Sequence, residues 1–182
     1  SCDFEQNTAV KGSAIYVGNN SIYVSVSLSE FIKNDIKNEM GEDAELEGGV
    51  IYVNANDAEV TFNIDKSNFE SNSNKDVNGG VICLDGISNA NIDTCTFNNN
   101  KGKMGSVILM KNPNNEKLRL FIDSSLIMNN NATIGAIATS PKVTAFIDGC
   151  VLANNTGEYR NIYSNGFTVA HDTIFDVKNV EL

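Results

Sequence analysis

The stretch NIDTCTFNNNKGKMGSVIL, residues 91–109, decides the fold. It runs from an Ile-Asp pair through a phenylalanine into asparagines, then leaves through a glycine and an apolar burst. The same order recurs along the chain. Ile-Asp opens IDKSNFESN (64–72), IDTCTFNNN (92–100), IDSSLIMNN (122–130) and IDGCVLANN (147–155), with starts 28, 30 and 25 residues apart. A half copy, CDFEQN (2–7), precedes them and a degraded one, VAHDTIFDV (169–177), follows. Between copies lies a second module: GSAIY (12–16), GGVIY (48–52), GGVIC (79–83), GSVIL (105–109) and IGAIA (134–138), with a late variant RNIYS (160–164). Repeats of roughly 20–50 residues mark a solenoid, and about six coils are visible.

Each coil is predicted to be built from strands. Val60, Phe62 and Ile64 alternate strictly, as do Leu118, Leu120 and Ile122, and Val143, Ala145 and Ile147. A period of two buries those residues and turns the aspartate after each isoleucine outward. β-branched residues abound and a helical period fits poorly, while the glycines supply tight corners. The expected architecture is an all-β parallel β-helix forming a single domain over 1–182, a fragment of a longer chain. Residues 28–47, LSEFIKNDIKNEMGEDAELE, break the pattern and stretch the Ile15-to-Ile51 spacing to 36 residues. Phe31, Ile32, Ile36 and Met40 fall near i, i+4, with Ser29 as an N-cap candidate and Gly41 as a stop. That predicts a short helical or loop insertion packed outside the solenoid.

The modules GGVI and GSAI, alternating with FESN, FNNN and FEQN, resemble the paired GGA[ILV] and FxxN repeats of polymorphic outer-membrane proteins. They also resemble the wider group of right-handed β-helix surface and adhesin-like proteins. The resemblance spans nearly the whole chain. It implies a right-handed solenoid, in line with the general preference of parallel crossovers, and a cell-surface or extracellular role as stalk or adhesin. The C-terminal membrane barrel of the bacterial members is not in this sequence.

Equivalent residues of a solenoid stack into columns, where function is to be sought. Asn7, Asn72, Asn100, Asn130 and Asn155 are expected to form a turn-holding ladder, since asparagine tolerates left-handed turns and stacked amides bond along the axis. Asp65, Asp93, Asp123 and Asp148 make an outward acidic column. Carboxylates at strand spacing could share Ca²⁺, although a solvated acidic face is the plainer expectation. Two residues before each aspartate stand Asn63, Asn91, Phe121 and Phe146. The two phenylalanines form an outward aromatic pair, either a contact for a glycan or protein partner or a surface under the loop KNPNNEK (111–117). Two adjacent apolar columns, Ala14/Val50/Val81/Val107/Ala136 and Ile15/Ile51/Ile82/Ile108/Ile137, pose a conflict. Strand neighbours face opposite ways, so either a bend turns both inward or one becomes an external stripe, covered by the 28–47 segment or by a partner.

Cys2, Cys95 and Cys150 share a column with Ser67 and Ser125 between them, two or more coils apart and too far for a disulfide. Only Cys83 lies elsewhere, and mainly buried thiols are expected. Glycosylation triplets occur at Asn19, Asn131 and Asn154, which would matter in a secreted eukaryotic chain.

With 182 residues, 41% hydrophobic, 20% charged and a formal net charge of −10, the chain reads as one folded domain. Its 13 basic residues include only two arginines, Arg119 and Arg160. Such a surface repels nucleic acid and anionic lipid, and no apolar run reaches the length of a membrane span. Catalysis is not expected. The fold also carries polysaccharide lyases and hydrolases, but these need paired carboxylates with basic neighbours or clustered Ca²⁺ ligands. The only histidine, His171, sits beside Asp172 in the degraded coil, where such a pair reads as incidental. No cofactor is expected beyond the Ca²⁺ option. The expected role is a non-catalytic extracellular stalk or fibre segment that self-associates or stacks on neighbouring segments; the alternative is an adhesin.

Overall fold

The computed structural model describes residues 1–18, 23–37, 48–55 and 60–175; of residues 75 and 76 it describes the backbone. The chain winds as a right-handed parallel β-helix whose strands fall, in unvarying order, onto four parallel sheets. The Phe sheet holds seven strands, Asp3–Glu5, Glu30–Ile32, Asn68–Glu70, Thr96–Asn98, Leu126–Met128, Val151–Ala153 and Ile174–Phe175. A short sheet follows with Thr8–Ala9, Asp35–Ile36, Ser73–Asn78, Lys101–Met104 and Asn131–Ala132. The Gly-Ile sheet comes next, its six strands running from Ile15–Val17 to Ile162–Ser164. The Ile-Asp sheet completes the turn with Tyr23–Ser27, Thr61–Asp65, Asn89–Asp93, Leu118–Asp123, Val143–Asp148 and Phe167–His171. The sheets thus hold five to seven strands: five full turns, a sixth that lacks only the short-sheet strand, and the first strand of another.

Register follows the repeat residue for residue. Val26, Ile64, Ile92, Ile122 and Ile147 pair in line, and so do Phe31, Phe69, Phe97, Ile127 and Leu152. All of them are buried. The Phe4, Phe31, Phe69 and Phe97 rings stack in sequence at centroid separations of 4.8, 4.6 and 4.8 Å, near-parallel throughout. One strand spacing is about 4.8 Å, so registered rings meet at stacking distance with no adjustment of the backbone.

Two corners of each coil place a residue in the left-handed region. One follows the aspartate position: Leu28, Lys66, Thr94, Ser124, Gly149 and Asp172. The other precedes the ladder asparagine: Gln6, Lys33, Ser71, Asn99, Asn129 and Asn154. The ladder asparagines themselves therefore do not adopt the left-handed turn expected of them; their neighbours do, and the ladder side chains point inward to bond. The backbone N–H and the amide Nδ2 of Asn72 both donate to Asn100 Oδ1, each at 3.0 Å. The same pair of bonds links Asn7 to Asn34, Asn34 to Asn72, Asn100 to Asn130, and Asn130 to Asn155. The second Nδ2 hydrogen reaches back to a carbonyl of the Phe sheet, as Asn100 does to Phe69 O at 3.0 Å.

Asn34 is the member that the sequence reading lacks, and it corrects the treatment of residues 28–37, the described part of the expected insertion. Residues 30–32 and 35–36 are strands of an ordinary coil, and there is no helix among the described residues. Phe31 enters the phenylalanine stack and Asn34 the ladder, so FIKN (31–34) is itself an FxxN module. Ser29 caps nothing helical, since its hydroxyl donates to Ser27 O. The coil was concealed because Ser27 stands where other coils have aspartate, leaving no Ile-Asp pair to align on. The extra length in the Ile15-to-Ile51 spacing falls between Ile36 and Gly48, and residues 38–47 lie outside the described residues.

The conflict between adjacent apolar columns resolves as a bend. Val50, Val81, Val107 and Ala136 sit on the corner before the Gly-Ile strands, and both they and the following isoleucines are fully buried in the central core. The residue after each isoleucine points outward: Tyr16, Tyr52, Cys83, Leu109, Ala138 and Tyr163. Tyr52, Cys83, Leu109 and Ala138 still form a small buried cluster with Met104 and Tyr163 packed on it. Met104, at the end of the strand Lys101–Met104 that leads into this corner, is part of its cover. Here the glycine requirement is steric: Gly79 is left-handed, and a Cβ at Gly80 would overlap the Gly105–Ser106 backbone of the next coil.

Replacing Asn100 with alanine orphans the Asn72 donors and the Phe69 carbonyl in a buried corner. At roughly 1–3 kcal/mol for each unsatisfied group, Asn100→Ala is expected to cost about 4 kcal/mol in urea denaturation. The exposed Lys101→Ala on the next residue should stay within about 0.5 kcal/mol.

Candidate functional site

The Ile-Asp sheet presents three outward columns, because its strands are five or six residues long and every second residue faces away from the core. The first is Tyr23, Thr61, Asn89, Arg119, Thr144 and Phe167; the second is Ser25, Asn63, Asn91, Phe121, Phe146 and Val169. The third is Ser27, Asp65, Asp93, Asp123, Asp148 and His171. An open groove of about 460 Å³ runs between the second and third columns at the C-terminal end. Every residue lining it belongs to this sheet, so the 111–117 loop does not cover the phenylalanines.

Phe121 and Phe146 stack at 4.9 Å with ring planes 10° apart. Face-to-face stacking along the axis turns ring edges, not faces, toward solvent. Aromatic edges carry the positive part of the ring quadrupole, so the pair offers an apolar ridge rather than a platform for a sugar. Above the ridge the column is polar: Asn91 Nδ2 donates to Asn63 Oδ1 at 2.7 Å and Asn63 Nδ2 to Tyr23 Oη at 2.9 Å.

The aspartates stand in register, as the sequence spacing requires, and each accepts its own side-chain hydrogen bond. Ser27 Oγ donates to Asp65 at 3.0 Å, Thr94 Oγ1 to Asp93 at 2.8 Å and Ser124 Oγ to Asp123 at 3.0 Å. At the end of the column the partner of Asp148 Oδ1 is His171 Nδ1, 3.0 Å away, with Asp172 Oδ2 at 3.4 Å from the same nitrogen. His171 was singled out in the sequence only as a neighbour of Asp172. Strand register sets Ala170 against Ile147 and His171 against Asp148, which places the histidine in the aspartate column. The hydrogen bond to Asp148, helped by the charges of Asp172 and Asp148, raises the imidazole pKa above its usual 6.5, against a small opposing desolvation.

The cysteine column gains Ser29 and Thr173 and serves the corner that follows the aspartates. Ser67 Oγ, Cys95 Sγ, Ser125 Oγ and Cys150 Sγ each donate to the carbonyl of the aspartate two residues earlier. All four cysteines are free; Cys2 is exposed and Cys83, Cys95 and Cys150 are buried. Burial is the leading cause that pushes the Cys95 thiol up to about 11, with Asp65 and Asp93 adding to it. Of the glycosylation triplets, Asn131 and Asn154 are exposed, and Asn19 lies outside the described residues.

No family model matches the chain, and no curated protein or solved structure matches it. The site is therefore defined by its own geometry: an apolar ridge beside a row of carboxylates that ends in an imidazole.

Proton NMR should find His171 titrating above 6.5, and Asp148→Asn should bring it back toward the ordinary value. Because the folded pKa is the raised one, the contact stabilises the last coil fully below about pH 6.5. That contribution is lost as pH rises through the folded pKa, so amide exchange over 167–175 should quicken across that window. Thiol titration with a maleimide should modify Cys2 alone in the native protein and all four cysteines after unfolding, the other three thiols being buried out of the reagent's reach.

Proposed function

We propose that this chain is a non-catalytic extracellular scaffold, a stalk or fibre segment assembled from stacked coils. In this reading its modules are of the GGA[ILV]/FxxN type that polymorphic outer-membrane and adhesin-like surface proteins carry. The observation that carries the reading is the unbroken run of coil-to-coil bonds from Asn7 to Asn155, alongside the stacked phenylalanines. Those ladders absorb the residues that recur in every coil. A structure whose repeated positions serve axial stacking is suited to holding length and stiffness. Partners on this reading are other copies or neighbouring segments joined end to end.

A second reading, a surface adhesin, is favoured by the groove beside Phe121 and Phe146. The outward column varies from coil to coil, unlike the inward ones, which is how a binding face can be written onto a uniform scaffold. Edge-on ring presentation favours a protein ligand over a stacked sugar.

Immunogold electron microscopy on intact cells of the source, paired with negative staining of the purified chain, tests the scaffold. Label on thin projections, with end-to-end rods in the purified sample, is the expected result. Label that appears only after permeabilisation overturns the extracellular assignment. Single short particles at every concentration, combined with saturable binding of the chain to a host or neighbour cell, replace the scaffold with the adhesin.

A further inference from the structure

We propose that Asp148, His171 and Asp172 form a binding site for a divalent transition-metal ion of the Zn²⁺ class, which ties the last described coil to the one before it. The three side chains come from two adjacent coils and offer one ligand atom each, all within 4.8 Å of one another. Tetrahedral Zn²⁺ with N and O ligands at about 2.1 Å needs donors about 3.4 Å apart. His171 Nδ1 already lies 3.0 Å from Asp148 Oδ1 and 3.4 Å from Asp172 Oδ2. The two carboxylate oxygens, within 4.8 Å of each other, must settle to that spacing and the 3.0 Å contact must open by a few tenths of an ångström; both are exposed side chains.

The donor set selects the metal class. An imidazole with two carboxylates suits Zn²⁺, Ni²⁺ or Cu²⁺, whereas Ca²⁺ takes oxygen ligands, six or more of them. This separates the site from the all-carboxylate run Asp65–Asp93–Asp123, where each aspartate already accepts a hydroxyl hydrogen bond and nothing further points to an ion. The backbone contributes by position. Asp172 occupies the left-handed corner with φ 43°, which places its side chain beside His171 on the same rim. Asp148 is brought level with His171 by strand register. At the position of Asp172 the other coils carry leucine, lysine, threonine, serine or glycine, so the three ligands coincide in this coil alone among those described. The metal replaces the proton that His171 Nδ1 shares with the two carboxylates, and that proton leaves to solvent. Water completes the coordination on the open side, next to the groove wall formed by Phe146 and Val169.

The inference does not depend on the scaffold reading, and its test is separate. The intact chain is stripped with EDTA and titrated with ZnCl₂ at pH 7.5 and physiological salt, following the His171 ring signals by NMR and heat by calorimetry. One equivalent should bind, with the His171 signals the first to move and amide exchange over 167–175 slowed. His171→Ala and Asp148→Asn should each weaken binding at least tenfold, while Asp93→Asn and Asp123→Asn leave it unchanged. A hundredfold excess of CaCl₂ should not displace the ion. Should the His171 signals of the unmodified chain stay in place through saturation, or should Ca²⁺ compete and Asp123→Asn weaken binding, the site is overturned. The NMR readout needs no variant, so it stands even if a substitution unfolds the last coil.

Discussion

The structure depends on one demand, that a chain turning sharply every few residues must satisfy its corner amides out of reach of water. Orphaned buried N–H and C=O groups are costly enough that corners normally lie on the surface. Here the corner between the Phe sheet and the short sheet is buried, and asparagine resolves it. One side chain offers an acceptor to the backbone N–H and the amide of the coil before, and donates to a carbonyl besides. Asn34, Asn72, Asn100, Asn130 and Asn155 each perform this set of tasks. Aspartate could accept but not donate, and serine is too short to bridge. Residue identity at this corner is thus fixed by hydrogen-bond valence, and the axial period follows from it.

Everything inside the solenoid inherits that period. Once adjacent corners are locked in register, like residues lie one strand spacing apart, which favours flat rings and branched aliphatics. The phenylalanines stack over the first four coils and give way to Ile127 and Leu152 in the later ones. Fixed register also determines the glycine module, because each coil's corner backbone comes close to the next one's Gly-Ile strand. The cysteines fit the same logic. A thiol at Cys95 or Cys150 substitutes for the hydroxyl of Ser67 or Ser125 as a small donor to the carbonyl two residues back. That is a structural use of cysteine in which no sulfur needs a partner sulfur.

The inward half of this arrangement was legible in the sequence because repetition writes it many times. Ile64, Ile92, Ile122 and Ile147 announce a column by recurring, and the alternation before them announces strands. What was hidden had lost its anchor residue. Residues 26–34 follow the repeat at Val26, Ser29, Phe31 and Asn34, yet Ser27 in place of aspartate concealed it and left a coincidental i, i+4 spacing to suggest a helix. His171 was obscured in the same way at the other end, by standing where an aspartate was sought. The bend that buries both Val50 and Ile51 is not a matter of periodicity at all. It depends on backbone geometry at a glycine corner, which a pattern of alternation cannot convey.

The outward columns obey a different economy, and the acidic one shows its limit. Register forces Asp65, Asp93, Asp123 and Asp148 into a line in which neighbouring charges repel even across water. The protein relieves this locally: hydroxyls from Ser27, Thr94 and Ser124 donate to three of the carboxylates. The left-handed corner is what makes two of those donors available, since Thr94 and Ser124 sit on it directly after their aspartates. At Asp148 the corner residue is Gly149, which has no hydroxyl to give. The donor comes instead from the next coil, as that of Asp65 comes from the coil before, and an imidazole between Asp148 and Asp172 supplies it. A glycine at one corner thus accounts for why the only histidine is useful where it stands, and why the column ends in the one group there able to exchange a proton for a metal.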